Sequence, residues 1–238
     1  VTYVYTLNAA GCTNTYNVTA VVYPTPALSS SLTPPAICSG STFSYTPTSA
    51  TAGANFAWSR SAVAGISNAP ASGTGNPNEA LTSTSTAPVA VTYLYAVSAN
   101  GCTNPATFSV VVTVNPAPAL NSTLSPPAIC TNSTFSYTPT SATSGTSFAW
   151  TRGVLVGISN PAGAGSGNPN EALDNITAAP INVSYVYTLS ANGCTNPVTY
   201  TVVVTVNPAP LLTSSLTPPS ICSGTTFSYV PTSSTSGV

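Results

Sequence analysis

Lysine, histidine and methionine are absent from this 238-residue sequence, and five side chains carry all of its formal charge: Arg60, Arg152, Glu79, Glu171 and Asp174. General acid–base and nucleophilic catalysis need a proton acceptor held against the reacting group. Without histidine or lysine, and with one or two carboxylates per repeat, neither a triad nor a carboxylate pair can be assembled. The sequence therefore argues against an enzyme, and no catalytic, cofactor-binding or metal-ligating residue is assigned. A near-neutral surface also lacks the electrostatic footprint that nucleic acid or an anionic membrane would require. No apolar run reaches the roughly 18–20 residues of a membrane-spanning helix, so this segment is not expected to enter a membrane. There is no recognisable signal peptide, and any targeting segment would lie outside the sequence.

What the sequence has in abundance is repetition. Cys38, Cys130 and Cys222 follow one another at intervals of 92 and 92, and Cys12, Cys102 and Cys194 at 90 and 92. The stretch VTYLYAVSANGCTNPATFSVVVTVNP at 91–116 returns at 183–208 and, in a form two residues shorter after Cys12, at 1–24. Pro-x-Pro signals recur at Pro24/Pro26, Pro116/Pro118 and Pro208/Pro210, and short proline-rich linkers are stiff and extended. These marks divide the chain into a C-terminal hairpin of a preceding module (1–26), complete modules at 27–118 and 119–210, and the N-terminal strands of a following module (211–238). The sequence starts at Val1 inside a strand and stops at Val238 inside a repeat, which is the pattern expected of a window on a longer polymer.

Apolar residues make up 42% of the chain, enough with its β-branched and aromatic runs to bury a core. ALSSSLTPPAIC at 27–38 reads as an edge strand stopped by Pro34 and Pro35, and TFSYTPTS at 42–49 as a half-buried strand. FAWSR at 56–60 and FAWTR at 148–152 place Phe56 with Trp58, and Phe148 with Trp150, on one strand face. Residues 79–89 supply a further strand. In the hairpin, Val91, Tyr93, Tyr95 and Val97 alternate with more polar positions on one side of Asn100-Gly101, and Phe108, Val110, Val112 and Val114 do so on the other. Asn-Gly between alternating strands is a strong hairpin signal because both residues accept positive φ. About seven short strands per 92 residues, with no helical periodicity, define an all-β fold of tandem immunoglobulin-like β-sandwich modules.

The motifs ICSGSTFSYTPTSA, FAWSR, GNPNEAL and YLYAVSANGC resemble the PKD-like, immunoglobulin-fold repeats of very large surface and secreted proteins of Bacteroidota. The resemblance covers the whole chain. It implies an extracellular or cell-surface adhesive or structural array, often exported by the type IX pathway. Two features depart from related modules: acidic residues that could bind calcium have no counterpart, and FAWSR replaces the WDFGDG-type signature.

Each module holds one arginine and one glutamate at matching positions, Arg60 with Glu79 and Arg152 with Glu171. They read as structural ion pairs between neighbouring strands, with a shared binding site or an intermodule contact as the other possibility. The pairs Tyr3/Tyr5, Tyr93/Tyr95 and Tyr185/Tyr187 each share a strand face with Val or Leu, so core packing is expected over sugar stacking. Trp58 and Trp150 are the other core anchors.

Six regularly spaced cysteines without histidine or CxxC partners point to disulfides in an oxidising compartment, against the alternative of buried thiols in a cytosolic protein. Cys38 and Cys102 belong to opposite poles of a sandwich, since a strand over 103–114 would span about 40 Å and a disulfide needs Cα atoms within about 7 Å. An intermodule bond Cys38–Cys194 follows, with Cys102, Cys130 and Cys222 bonded to modules outside the chain and Cys12 placed like Cys102. The intramodule pairs Cys38–Cys102 and Cys130–Cys194 remain the alternative. The expected partners are other modules of the same polypeptide and identical chains in a filament. The function expected is a structural segment of an extracellular fibre, stalk or adhesin. The alternative is a carbohydrate- or protein-binding module that uses the variable loops at 61–78 and 153–170 to hold a surface glycan or protein.

Overall fold

The computed structural model describes residues 1–235, so the last three residues of the expected 211–238 fragment lie outside it. Every regular element among the described residues is a β-strand. The chain divides into two compact units, Val1–Asn115 and Pro116–Val238.

The first unit opens with the hairpin β1 (Thr2–Ala9) and β2 (Cys12–Thr19). Its module follows as β3 (Ile37–Cys38), β4 (Thr42–Phe43), β5 (Asn55–Arg60), β6 (Ala71–Thr74), β7 (Glu79–Ala80), β8 (Val89–Ala99), β9 (Cys102–Thr103) and β10 (Phe108–Asn115). The main sheet has the order β3-β10-β8-β5-β6, with β9 beside β8, and β4 pairs with β7 in a small second sheet. Strand β3 runs parallel to β10, and the other pairings are antiparallel. The second unit repeats this with β11 (Ile129–Cys130), β12 (Thr134–Phe135), β13 (Ser147–Arg152), β14 (Gly163–Ser166), β15 (Glu171–Ala172), β16 (Ile181–Ala191), β17 (Cys194–Thr195) and β18 (Tyr200–Asn207). Its sheet order, β11-β18-β16-β13-β14 with β12-β15 opposite, is the same.

Strict alternation in the sequence becomes strict alternation in burial. Val91, Tyr93, Tyr95 and Val97 of β8 and Val110, Val112 and Val114 of β10 are fully buried, as are their counterparts in β16 and β18. Phe43 and Tyr45 come down on this face, with ring centroids 4.9 Å from Tyr93 and 5.5 Å from Tyr95. Trp58 meets Tyr93 edge-on at 5.5 Å, an arrangement favoured by the ring quadrupoles. Strand β6 crosses this indole through a glycine: a Cβ at Gly73 would lie 2.9 Å from Trp58 Cζ2. Trp150 and Gly165 repeat the contact. The hairpin turn at Asn100 (φ 52°) and Gly101 (φ 78°) has both residues left-handed, which matches the twist of the flanking strands.

Three expected strands are shorter than the sequence suggested. No strand covers 27–36; the strand at 42–49 is reduced to β4, and that at 79–89 to β7 with a single bridge from Ser83 to Ile66. Proline is the cause at the first two, because it removes ladder donors at 34, 35 and 47. The opening segment is instead tied by isolated backbone bonds, Ser29 N–H to Thr48 O at 2.7 Å and Val111 N–H to Leu32 O at 2.8 Å. Tyr3 and Tyr5 also depart from expectation. They are 54% and 56% exposed, because nothing in the described residues covers the β1–β2 face as Phe43, Tyr45 and Trp58 cover β8.

Candidate functional site

The chemistry of each module is concentrated in one buried cluster. Arg60 ends β5 with its side chain on the core face beside Trp58, and Glu79 opens β7 across the sandwich. The guanidinium donates Nε–H to Glu79 Oε2 and Nη2–H to Glu79 Oε1, both at 3.0 Å. Its remaining donors reach Ala69 O at 2.6 Å and Ser61 O at 3.4 Å. Tyr93 donates its hydroxyl to Glu79 Oε2 at 2.6 Å. The second module reproduces the set: Arg152 to Glu171 at 2.9 and 2.9 Å, to Pro161 O at 2.7 Å and to Gly153 O at 3.3 Å, with Tyr185 to Glu171 at 2.6 Å. A bidentate arginine fork against a carboxylate fixes orientation as well as charge. The backbone carbonyls it holds belong to the loop between β5 and β6, so the cluster also pins that loop.

Proton affinities shift as such a clamp requires. The hydrogen bond to Glu79 holds Arg60 above its ordinary range, against the opposing effect of burial. Burial pushes Glu79 up, but the Arg60 and Tyr93 hydrogen bonds outweigh it and leave the carboxyl below its usual range. In Glu171 the Arg152 hydrogen bond leads, and the carboxyl is again lowered. Burial, followed by the adjacent carboxylate, drives Tyr93 and Tyr185 well above an ordinary phenol. All members are therefore locked in one protonation state through neutral pH. Both carboxylate oxygens are already engaged, so the cluster is built to hold strands and loops together rather than to move a proton. Among the described residues no group of three or more histidine, cysteine, aspartate or glutamate side chains gathers that could hold a metal ion.

Asparagine amides that sequence reasoning passed over complete the framework. Asn76, in GNPNEAL, accepts the Tyr45 N–H at 2.8 Å and donates to Ser44 Oγ at 2.9 Å. It thus stands in for the ladder that Pro47 interrupts, and Asn168 does the same for Tyr137 and Ser136. Asn68 bridges Ala80 O and Thr82 N–H at 2.8 and 2.9 Å, and Asn160 bridges Ala172 O and Asp174 N–H. Asn104 and Asn196 each donate to a linker carbonyl at 2.8 Å, Pro26 O and Pro118 O respectively. Their recurrence at the repeat interval was the available signal.

Cys38 and Cys194 are disulfide-bonded, whereas Cys12, Cys102, Cys130 and Cys222 carry free thiols. The intramodule alternatives Cys38–Cys102 and Cys130–Cys194 are thereby corrected. The physical reason is distance: Cys38 sits opposite Asn115 at the end of β10, and Cys102 sits opposite Ala99 at the hairpin turn. Strand β10 alone, Phe108–Asn115, covers about 24 Å at ~3.4 Å per residue, shorter than the single strand expected from the sequence but far beyond disulfide reach.

Fold and clamp together define the class: tandem immunoglobulin-like β-sandwich modules, each closed by one internal ion pair. The family match agrees with this geometry. Residues 35–118 and 127–210 each match the PKD-like domain, and the chain belongs to that family in two tandem copies of 84 residues. No curated protein matches the chain by sequence. Among solved structures it is similar to an endo-fucoidan hydrolase of glycoside hydrolase family 107, at 11% identity and TM-score 0.27, over 88% of this chain and 34% of that one. It is also similar to the EC1-4 segment of Drosophila N-cadherin, at 12% identity and TM-score 0.26, over 87% of this chain and 57% of that one. The chain thus spans about a third of the first protein's length and somewhat over half of the second's.

Proposed function

We propose that these modules are a structural segment of a long extracellular fibre, stalk or adhesin, contributing length and stiffness and no chemistry of their own. The observation that carries this is the inward direction of the charge. Arg60 and Arg152 are 2% and 3% exposed, and their countercharges face them rather than a ligand. What remains outside is a Ser-, Thr- and Asn-rich surface with Asp174 as its one further charged side chain, to which salt and moderate pH change are of little consequence. Membership of the PKD-like family and the disulfide state of Cys38 and Cys194 support an extracellular setting, since such bonds persist in oxidising compartments. On this reading the partners are further modules of the same kind, in the same polypeptide or in identical chains of a filament.

A second reading rests on one local difference. Val154 and Val156 in the loop after β13 are 74% and 95% exposed, where the first module has Ala62 and Ala64. That loop would be the contact of a protein- or glycan-binding module. Screening the chain against a glycan array and a surface-protein panel separates the two. The structural reading expects no binder and an unchanged melting temperature between low and high salt. A ligand whose binding is lost in Val154→Ser/Val156→Ser would replace it with the adhesive one.

A further inference from the structure

One face of the β1–β2 hairpin is apolar and uncovered. Residues directly opposite each other in an antiparallel pair share a face, and the register of Tyr3 with Val18 and Tyr5 with Tyr16 sets Tyr3, Tyr5, Leu7, Tyr16 and Val18 side by side. All five are at least 50% exposed. The opposite face is threonine and asparagine apart from Val4. Contiguous exposed apolar surface of this kind marks an interaction site, and a hairpin of two strands alone is marginally stable in water. The first module, in the same compact unit, repeats this face and shows what fits it. Its register sets Tyr93 opposite Val110 and Tyr95 opposite Phe108, so Tyr3 and Tyr5 correspond to Tyr93 and Tyr95. There the cover includes Phe43, 4.9 Å from Tyr93, and Tyr45, 5.5 Å from Tyr95, the two rings stacked at 6.0 Å. The covering segment brings its own partners for the Tyr45 hydroxyl, Ser30 Oγ at 2.6 Å and Ser31 O at 3.0 Å. It also bonds the hairpin edge, where Val111 N–H donates to Leu32 O at 2.8 Å. Thr19 is the counterpart of Val111. Because Val1 and Ala20 exchange both backbone bonds, at 2.8 and 2.9 Å, alternation along the ladder turns the Thr19 N–H outward in the same way.

We propose that the Tyr3/Tyr5 face is a docking surface for an extended segment of another PKD-like module in a separate polypeptide, of the Phe-x-Tyr type that residues 28–45 exemplify. The phenyl ring of that segment lies on Tyr3, its phenol lies on Tyr5, and a carbonyl near its start accepts the Thr19 N–H. The segment at 28–45 cannot supply this contact itself, since Phe43 and Tyr45 are 1% and 6% exposed against their own hairpin. Neither the β1–β2 hairpin nor residues 28–45 carry a charged side chain, so recognition rests on aromatic packing and one backbone bond. The inference rests on the reading that the partners are further modules of the same kind, and it names the surface and the segment through which they meet.

The full chain is titrated into a fluorescently labelled synthetic peptide of residues 27–49 in which Cys38→Ser prevents any disulfide. Fluorescence anisotropy should rise to saturation. Phe43→Ser/Tyr45→Ser in the peptide should weaken binding about tenfold or more, as loss of buried aromatic anchors does, with the chain itself untouched. Tyr3→Ser/Tyr5→Ser in the chain should weaken it as much, while Val4→Ser on the opposite face should leave it unchanged. No saturable binding, or binding that ignores either aromatic pair, would overturn the proposal. So would a glycan whose binding to the chain is lost in Tyr3→Ser/Tyr5→Ser, which would make the tyrosines a sugar platform. Self-association of the chain that needs Tyr3 and Tyr5 and is not displaced by the peptide would give the face to a second hairpin and overturn it as well. Failure of the peptide alone leaves the structural reading standing, because that reading is decided by the ligand screens and by melting in low and high salt.

Discussion

The hairpin at Thr2–Thr19 and the β8–β10 hairpin of the first module are variant copies of one repeat motif with different structures. In the former, pairing runs unbroken from Ala9 opposite Cys12 to Thr2 opposite Thr19, and every residue is exposed. In the latter, pairing breaks after Ser98 opposite Thr103 and resumes at Tyr95 opposite Phe108, with two extra residues on the second strand. Those residues let the chain leave the ladder after the paired Cys102 and Thr103. Asn104 can then reach Pro26 O, whereas Asn14 stays in register opposite Leu7 and bonds Tyr16 Oη at 3.0 Å. The turn and the alternating pattern are thus sufficient to form the strand pair. The insertion makes it a linker anchor, and the clamp with the aromatic layer makes it a core.

The largest effect should come from opening the clamp. Arg60→Met leaves Glu79 part-buried without its countercharge, a change that costs about 3–5 kcal/mol. Urea unfolding should show the first module melting early while the second, held by Arg152, keeps its midpoint. Arg60→Met/Glu79→Leu should recover much of the loss, since an apolar replacement of both partners is often close to neutral. Next in size is Gly165→Ala, whose methyl would lie 2.8 Å from Trp150 Cζ2. Overpacking of this kind costs about 1–3 kcal/mol, and the Trp150 near-UV signal should change with it. Smaller again is Asn104→Ala, which removes the part-buried hydrogen bond to Pro26 O, worth about 1 kcal/mol, and an exposed one accepted from Ala106 N–H. Asn14→Ala, outside any core, should stay within ~0.5 kcal/mol; equal effects would erase the distinction between the two hairpins.

The pH response should be flat at neutrality and fall on both sides. Glu79 and Glu171 have lowered folded pKa values, so their contribution is complete above the unfolded carboxyl value of about 4.3 and is lost as pH falls through the folded value. Tyr93, Tyr95, Tyr185 and Tyr187 have raised values, so their contribution is complete below about pH 10 and is lost as pH rises toward the folded value. Melting temperatures across the pH range check this. A maximum confined to a narrow neutral band would contradict the clamp.

Much of this architecture was legible because it is periodic. Alternation named the buried face of β8 and β10, and Asn100-Gly101 named the turn. Arg60 and Glu79 stood out as candidates because each module holds one arginine and one glutamate at matching positions. Tyr93 as the third member was not legible, since its hydroxyl projects from a strand face that reads simply as core. The shortened strands were missed because alternation signals burial whether or not a ladder exists. Tyr45 is 6% exposed and alternates correctly, yet its N–H is satisfied by the Asn76 amide. An amide can replace a strand partner from 31 positions away, and nothing in local patterning points to where it will land.

Every partner in the first clamp lies between Arg60 and Tyr93, and every partner in the second between Arg152 and Tyr185. Neither arginine borrows its countercharge from the other copy. Unequal recombination between the repeats, adding or deleting one 92-residue period, would therefore leave no orphan charge inside any module. A lineage can lengthen or shorten such a protein in whole steps, and selection can act on reach without first repairing a core.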